Sequence, residues 1–581
     1  MRTLKAALLI LVMLVAFALP IAPAQSQPAP VASSDAQFNR DVKEFIDSEL
    51  KLFPERATEL GDHRFDTRVD DESRQGIAAV ISHATHWKKE FSDVSPAGLT
   101  PAEATDREWL LAQIDGELLW NQQVKSYERD PGMYMPTSGV YSLIQRNFAP
   151  AAVRMRAVTA REKAALANLA AAKSNLKPER VPPIAIDIEL MQLPATIAFF
   201  RKDLVEAFAS VPEGKDKESF IKATSALTAT IEGYGKWLKD DLRPHARGDY
   251  AIGADAFSKM LADDDMVTTP LDKLEQIGQD EMHRLQKQFV ATAKLIDANR
   301  TPSEVAAAMA TQHPEPSQVI PSVNAGLAAI REYVVSHHIA RIPSMVPPIV
   351  AETPPFMRAT TFASMDSPGP FEKTSEAYFY VTLPDPSWPK EKQEQLLAFY
   401  SPPTISDTSV HEVYPGHYVQ FLNNRLNPDL VRKIYASGAD VEGWALYCEQ
   451  MMLDEGLHRG DPHFRLAQLQ MALMRACRYL VGIRMHTHGM TVAQATAFFE
   501  QSAYQTHHNA EVEALRGTGD PGYLRYQLGK LMILKLREDL QRQEGAAFDL
   551  GKFHDAFLAE GALPVPLIRR AMLGENAGPA L

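Results

Sequence analysis

Apolar residues recur at three- and four-residue spacing through most of the chain, as they do in helices with one buried face. Residues 38–53, 105–124, 160–176, 271–296 and 322–335 follow this pattern and are predicted as helices. The punctuation agrees: Pro270 stands where a helix can start, and Asn299-Arg300-Thr301-Pro302 marks a stop and a restart. Between residues 342 and 384 the pattern changes. Prolines crowd that stretch, among them Pro343, Pro347, Pro354 and Pro368, and residues 377–383 read Ala-Tyr-Phe-Tyr-Val-Thr-Leu, a run of strand character. A small sheet or ribbon is expected there, with helical patterning resuming at Glu391. No period of solenoid type repeats, and no clean linker interrupts the pattern. The expected fold class is therefore mainly α: one helical unit over residues 37–581, two lobes around a cleft, and a small β ribbon.

The N-terminus has a different character. Arg2 and Lys5 precede an apolar core over residues 6–19, and Ala22-Pro23-Ala24 supplies an A-x-A cleavage site. This reads as a signal peptide over residues 1–24, with an uncleaved signal anchor as the alternative. Residues 25–36, rich in Pro, Ala, Ser and Gln, read as a flexible leader. The N-terminal apolar core is expected to be the only segment able to meet a membrane, so no span should remain after cleavage. The chain is expected in the periplasm or secreted, and without a Cys after the apolar core a lipid anchor is disfavoured. Its only cysteines are Cys448 and Cys477, which either pair or serve as two buried, thiol-bearing apolar residues. Sixty Lys+Arg against 73 Asp+Glu give a net charge of −13, and no long basic run occurs, which argues against nucleic acid as a partner. Neither a P-loop nor a dinucleotide fingerprint is present.

The sharpest chemical signal is Ser409-Val410-His411-Glu412-Val413-Tyr414-Pro415-Gly416-His417. A catalytic zinc takes three protein ligands and keeps a fourth position open, and a neighbouring Glu can act as base. In H-E-x-x-H the histidines lie four apart on one helix face. Here they are six apart, about 120° out of alignment on a regular helix. Pro415-Gly416 stands between them, and a local two-residue bulge there would bring the imidazoles together. Other readings stand beside this one: Ser409-x-x-Glu412 matches a capping box, and two histidines near Pro-Gly can simply mark a turn.

Glu442, within Asp440-Val441-Glu442-Gly443-Trp444-Ala445-Leu446-Tyr447, can supply the third ligand from the next helix. Glu449, two turns further along that face, is a fallback ligand or a supporting partner, with a solvated surface position as its blander fate. Asp440 is expected to cap the helix. The metal-site helices should therefore span about residues 408–455, and a substrate-side segment about residues 505–530. His337-His338, His486, His488 and His507 lack a placed carboxylate and are expected to be structural or solvated. Met471, Met474 and Met485 read as core filler.

His-Glu-Val-Tyr-Pro-Gly-His-Tyr-Val-Gln followed by Glu-Gly-Trp-Ala-Leu-Tyr resembles the signature of the domain-of-unknown-function 885 family, bacterial proteins grouped with zincin metallopeptidases. Leu60-Gly61-Asp62-His63-Arg64 and Leu528-Gly529-Lys530 extend the likeness over nearly the whole chain. The resemblance implies a helical gluzincin-like fold, a zinc ion (Zn2+) on His411, His417 and Glu442, and Glu412 as general base. One departure is Gly482, where an Asp is expected before His486. Tyr523-Leu524-Arg525-Tyr526 is similar to a stretch of angiotensin-converting-enzyme-like peptidases. That likeness implies Tyr526 as oxyanion donor, Tyr523 as holder of a substrate carboxylate and Arg525 as electrostatic support. The upstream His is out of place, with Arg516 at the matching distance and His508 nearest. The alternative for this stretch is two core tyrosines and a surface arginine.

Three functions are compatible with these residues. The first is an exported zinc peptidase acting on short peptides, with the 377–383 strand adding a peptide along its edge. A second is another metal-dependent hydrolase or a non-haem iron enzyme, since two histidines and a carboxylate also make a facial triad. The third is a non-catalytic periplasmic helical binding protein or inactive zincin relative.

Overall fold

The computed structural model describes residues 34–354, 357–358 and 361–581. The signal peptide lies outside the described residues. A helix, Ser34–Leu52, begins inside the segment assigned to the leader. The remaining predicted helices are present as Pro101–Leu118, Ala151–Asn175, Leu271–Ile296 and Pro316–Ser336. Local chemistry sets their starts. Thr100 and Glu103 bond reciprocally across a first turn opened by Pro101, and Thr301 with Glu304 repeats the arrangement around Pro302.

Among the described residues, buried side chains form two clusters. The smaller runs from Tyr134 to Leu242 and is built by helices Ala151–Asn175, Pro183–Ala198 and Lys215–Trp237. Among the described residues, Pro183–Ala207 is long and apolar enough to cross a membrane by length and composition, so the N-terminus is not alone in that property. Its Ile186, Phe199, Phe200 and Leu204 are buried in this smaller core.

The larger core contains the chemistry. Its centre is helix Pro462–Thr487, buried on all sides between Leu466 and His486, as expected of a helix without a solvated face. Helix Leu271–Ile296 packs along it through Leu274, Gly278, Met282, Leu285 and Phe289, spaced three and four apart. Cys448 and Cys477 are both free and buried, so of the two sequence readings the unpaired one holds.

Among the described residues the sheet has three strands: β1 (Ile349–Glu352), β2 (Ala363–Asp366) and β3 (Tyr378–Val381). Their order is β1-β3-β2, with β3 parallel to β1 and antiparallel to β2. The strand expected at residues 377–383 is therefore central and has no free edge. Its candidate edge role passes to β2.

Candidate metal centre

The helix carrying His411, Pro402–Glu412, starts at Ser401, whose hydroxyl accepts from Thr404 N–H. Ser409 lies buried within that helix and caps nothing. At Glu412 the helix ends. The N–H groups of Val413 and Tyr414 both donate to Ser409 O, and Gly416 N–H donates to Val410 O. A new helix, His417–Leu426, follows at once. The expected bulge in a continuous helix is thus a full break, because Pro415 cannot donate into the next turn. Gly416 is required there: a Cβ would stand 1.9 Å from His411 O. Trp444 Nε1 donates to Pro415 O at 2.9 Å and holds the break against the next helix, Gly438–Asp454.

That break turns the two imidazoles toward each other, edge to face, with ring centres 4.8 Å apart. Glu442 Oε2 lies 3.7 Å from His411 Nε2 and 3.6 Å from His417 Nε2. These separations are too long for hydrogen bonds. They suit three atoms around one ion, since tetrahedral ligands bound at about 2.0–2.2 Å sit about 3.3–3.6 Å apart. Glu442 Oε2 is buried without a hydrogen-bond partner, as a ligand atom facing a cation would be. His411, His417 and Glu442 therefore form a group able to hold a metal ion.

The surroundings hold this group in place. His411 Nδ1 is 2.7 Å from Glu449 Oε1, and Glu449 is 2 % exposed, so the solvated fate considered for this carboxylate is excluded. Burial would pull the His411 imidazole down, but the Glu442 and Glu449 carboxylates outweigh it and push it up to about 10. Burial acts on Glu442 in the opposite sense, yet the two imidazoles hold it well below the carboxylate range. Gln420 Nε2 donates to Asp440 Oδ2 at 2.9 Å and ties the His417 helix to the Glu442 helix. Ser437, not Asp440, caps that second helix, and its hydroxyl donates to Asp265.

A cavity of about 720 Å³ opens over the group. Glu412, half-buried, lines it, as do Tyr526 and the exposed His508 at its rim. Residues of β2 form part of the wall. Tyr526 is the first-turn tyrosine of helix Arg525–Glu544, and its hydroxyl accepts from Arg516 at 3.1 Å. Arg516, which stands where a histidine was looked for, thus reaches the tyrosine. Two residues expected at the substrate are not in the cavity wall. Tyr523 is fully buried and its hydroxyl donates to Glu513. Arg525 faces away, pairing with Asp264 and with Asp265 at 2.8 Å behind the Glu442 helix. The alternative for Tyr523, a core tyrosine, describes it correctly. Arg525 is a half-buried support rather than a surface arginine. Gly482 packs against Tyr523, where a Cβ would come within 3.1 Å of the tyrosine Cβ, and it does not line the cavity.

Sequence reasoning missed Arg475, Arg478 and Glu513 in the wall. Arg478 is held by Glu513 through two bonds of 2.6 and 2.8 Å. Arg475 lies 3.8 Å from Glu449. Two arginines three apart in the otherwise apolar run from Met471 to Ile483 were the available signal.

Fold and site together define a helical protein with two histidines and one carboxylate, able to hold a metal ion, gathered in a cleft. Residues 54–572 match the family described as bacterial protein of unknown function (DUF885), and the chain belongs to it. A protein from Shewanella oneidensis, described as a lipoprotein of unknown function, is 26% identical, with a TM-score of 0.78 over 92% of this chain and 99% of its own. One from Colwellia psychrerythraea, also described as a lipoprotein, is 18% identical, with a TM-score of 0.77 over 94% of this chain and 99% of its own. An M32 carboxypeptidase from Deinococcus radiodurans R1 is 11% identical, with a TM-score of 0.34 over 86% of this chain and 96% of its own. No curated protein matches the chain.

Proposed function

We propose that this protein is an exported zinc-dependent peptidase that hydrolyses short peptides in the cavity above His411, His417 and Glu442. The observation that carries the reading is the convergence of those three donors within 4.8 Å, with Glu412 on the same cavity wall. A zinc ion held by them supplies Lewis-acid polarisation of a carbonyl and acidifies water. Glu412 accepts the proton of the attacking water and returns it to the leaving amine. Tyr526, positioned by Arg516, donates its hydroxyl to the developing oxyanion. Glu449 keeps His411 Nδ1 protonated, which would leave Nε2 as the ligand nitrogen.

The open edge of β2 suits an extended peptide. Thr382 N–H donates to Phe362 O, so the hydrogen-bonded pairs with β3 are even-numbered in β2. Ala363 and Met365 then turn their backbone groups away from β3, along a strand that lines the cavity. Export rests on the signal-peptide pattern and on the relatives described as lipoproteins. In this chain the cysteines lie at 448 and 477 and none follows the apolar N-terminal core.

The test is digestion of a synthetic peptide library by the zinc-loaded protein, read by mass spectrometry, with metal content measured on protein isolated without added metal. Zinc at one per chain and cleavage lost in Glu412→Gln with zinc retained are expected. Iron in place of zinc, or equal cleavage by Glu412→Gln, would overturn the reading.

A further inference from the structure

A second cavity, of about 290 Å³, lies away from the metal centre and shares no lining residue with its cavity. One side belongs to helix Pro183–Ala198, through Ile184, Ile188 and Glu189; the other includes Tyr250 and Ile252. Trp120 adds an aromatic wall. The volume is at the small end for ligand sites, and the apolar stretch is set among polar groups that also include Ser126, Gln192, His486 and Thr518.

The polar groups are unequally satisfied. Asp130 accepts from Gly132 N–H at 2.8 Å. Arg129 spends its guanidinium on the carbonyls of Asp249 and Tyr250, at 2.6 and 2.9 Å. Tyr250 donates its hydroxyl to Met490 O. Glu189 differs: it is 7 % exposed, it lines the cavity, and among the described residues it has no hydrogen-bond or ion-pair partner. Its Oε2 and Asp130 Oδ1 converge on Gly132, each within 3.3 Å of where a Cβ would stand there. Without a protein donor among the described residues, the carboxylate faces the cavity, and a cation entering there would satisfy it. Burial, with Asp130 beside it, pushes the Glu189 carboxyl up to about 7, in keeping with the absence of a counter-charge.

We propose that this cavity is a second ligand site, specific for a small organic cation whose primary ammonium meets Glu189 and whose hydrocarbon stem lies against Ile184, Ile188, Ile252 and Trp120. A carboxylate ligand would be repelled by Glu189 and Asp130. An uncharged ligand would leave Glu189 without its counter-charge. The proposal does not depend on the peptidase reading.

Calorimetric titration of the full-length protein with n-hexylamine, n-hexanol and hexanoate tests it. Hexylamine should bind at least about tenfold more tightly than hexanol, the ordinary worth of a charge-assisted bond, and hexanoate should not bind. Glu189→Gln should bring the amine down to the level of the alcohol while metal content and melting temperature stay unchanged. Ala185→Phe, which fills the cavity from a half-exposed helix position, should abolish binding of both. Absence of hexylamine binding, an undiminished preference for the amine in Glu189→Gln, or wild-type binding by Ala185→Phe would each overturn the proposal.

Discussion

Glu449 accepts a hydrogen bond from His411 across 38 residues of sequence, at 2.7 Å and almost without solvent. The bond fixes which imidazole nitrogen is free for a metal. Supporting carboxylates of this kind are worth about 10- to 100-fold in metal affinity. Glu449→Ala is therefore expected to weaken zinc binding by about that factor, measured by competition with a chelator, and excess zinc should restore its activity. Glu442→Ala, lacking a ligand, should not be rescued in this way. Equal affinities for Glu449→Ala and the wild type would leave the bond without a role at the metal.

Arg525 was expected near the substrate and lies instead behind the site, paired with Asp265, which is fully buried. Removing one partner of a buried ion pair costs about 3–5 kcal/mol, because the other charge is left uncompensated. Arg525→Met should lower the melting temperature clearly. Its KM for a peptide with a free C-terminus should keep the wild-type ratio to that for the amidated peptide. A selective rise in KM for the free acid would return Arg525 to substrate recognition.

What could be read in advance follows from the range over which each feature is encoded. Helix Leu271–Ile296 has the expected bounds because amphipathic spacing and Pro270 act within a few residues. His411, Glu412 and His417 sit in one short motif, and Glu442 follows close behind. Sheet order is different. The central place of β3 depends on pairing with β1, which lies before it across a proline-rich stretch, and no local pattern specifies that partner. Tyr523, Arg525 and Tyr526 are consecutive enough to read as one motif, yet the 3₁₀ turn Pro521–Leu524 runs into a helix there and sends them to three different surroundings. Only Tyr526 reaches the cavity.

Tyr526 accepts from Arg516 at 3.1 Å, which leaves its own proton free to be donated into the cavity. Loss of one oxyanion donor typically costs about 10²- to 10³-fold in kcat. Tyr526→Phe should show a kcat defect of that order with KM little changed, measured on whichever library peptide is cleaved fastest. Arg516→Gln should show a smaller kcat defect, because it positions the tyrosine without meeting the oxyanion. A Tyr526→Phe enzyme with wild-type kcat would reduce Tyr526 to part of the wall.

Glu162, in the smaller core, is fully buried, and its Oε1 accepts from Thr224 at 2.7 Å. Burial pushes its carboxyl from 4.5 up to about 8. Between those values the folded chain holds a proton that the unfolded chain has released, so stability falls as pH rises through that window. Glu162→Gln keeps an acceptor for Thr224 and does not titrate. The melting temperatures of wild type and variant should lie close together near about pH 5 and separate by about pH 8, with the wild type lower. Other raised carboxyls, such as Glu55 at about 8, are common to both proteins and cancel in the comparison. Curves that stay parallel across the window would mean that Glu162 is ionised in the folded chain at neutral pH, and that this core accommodates its charge.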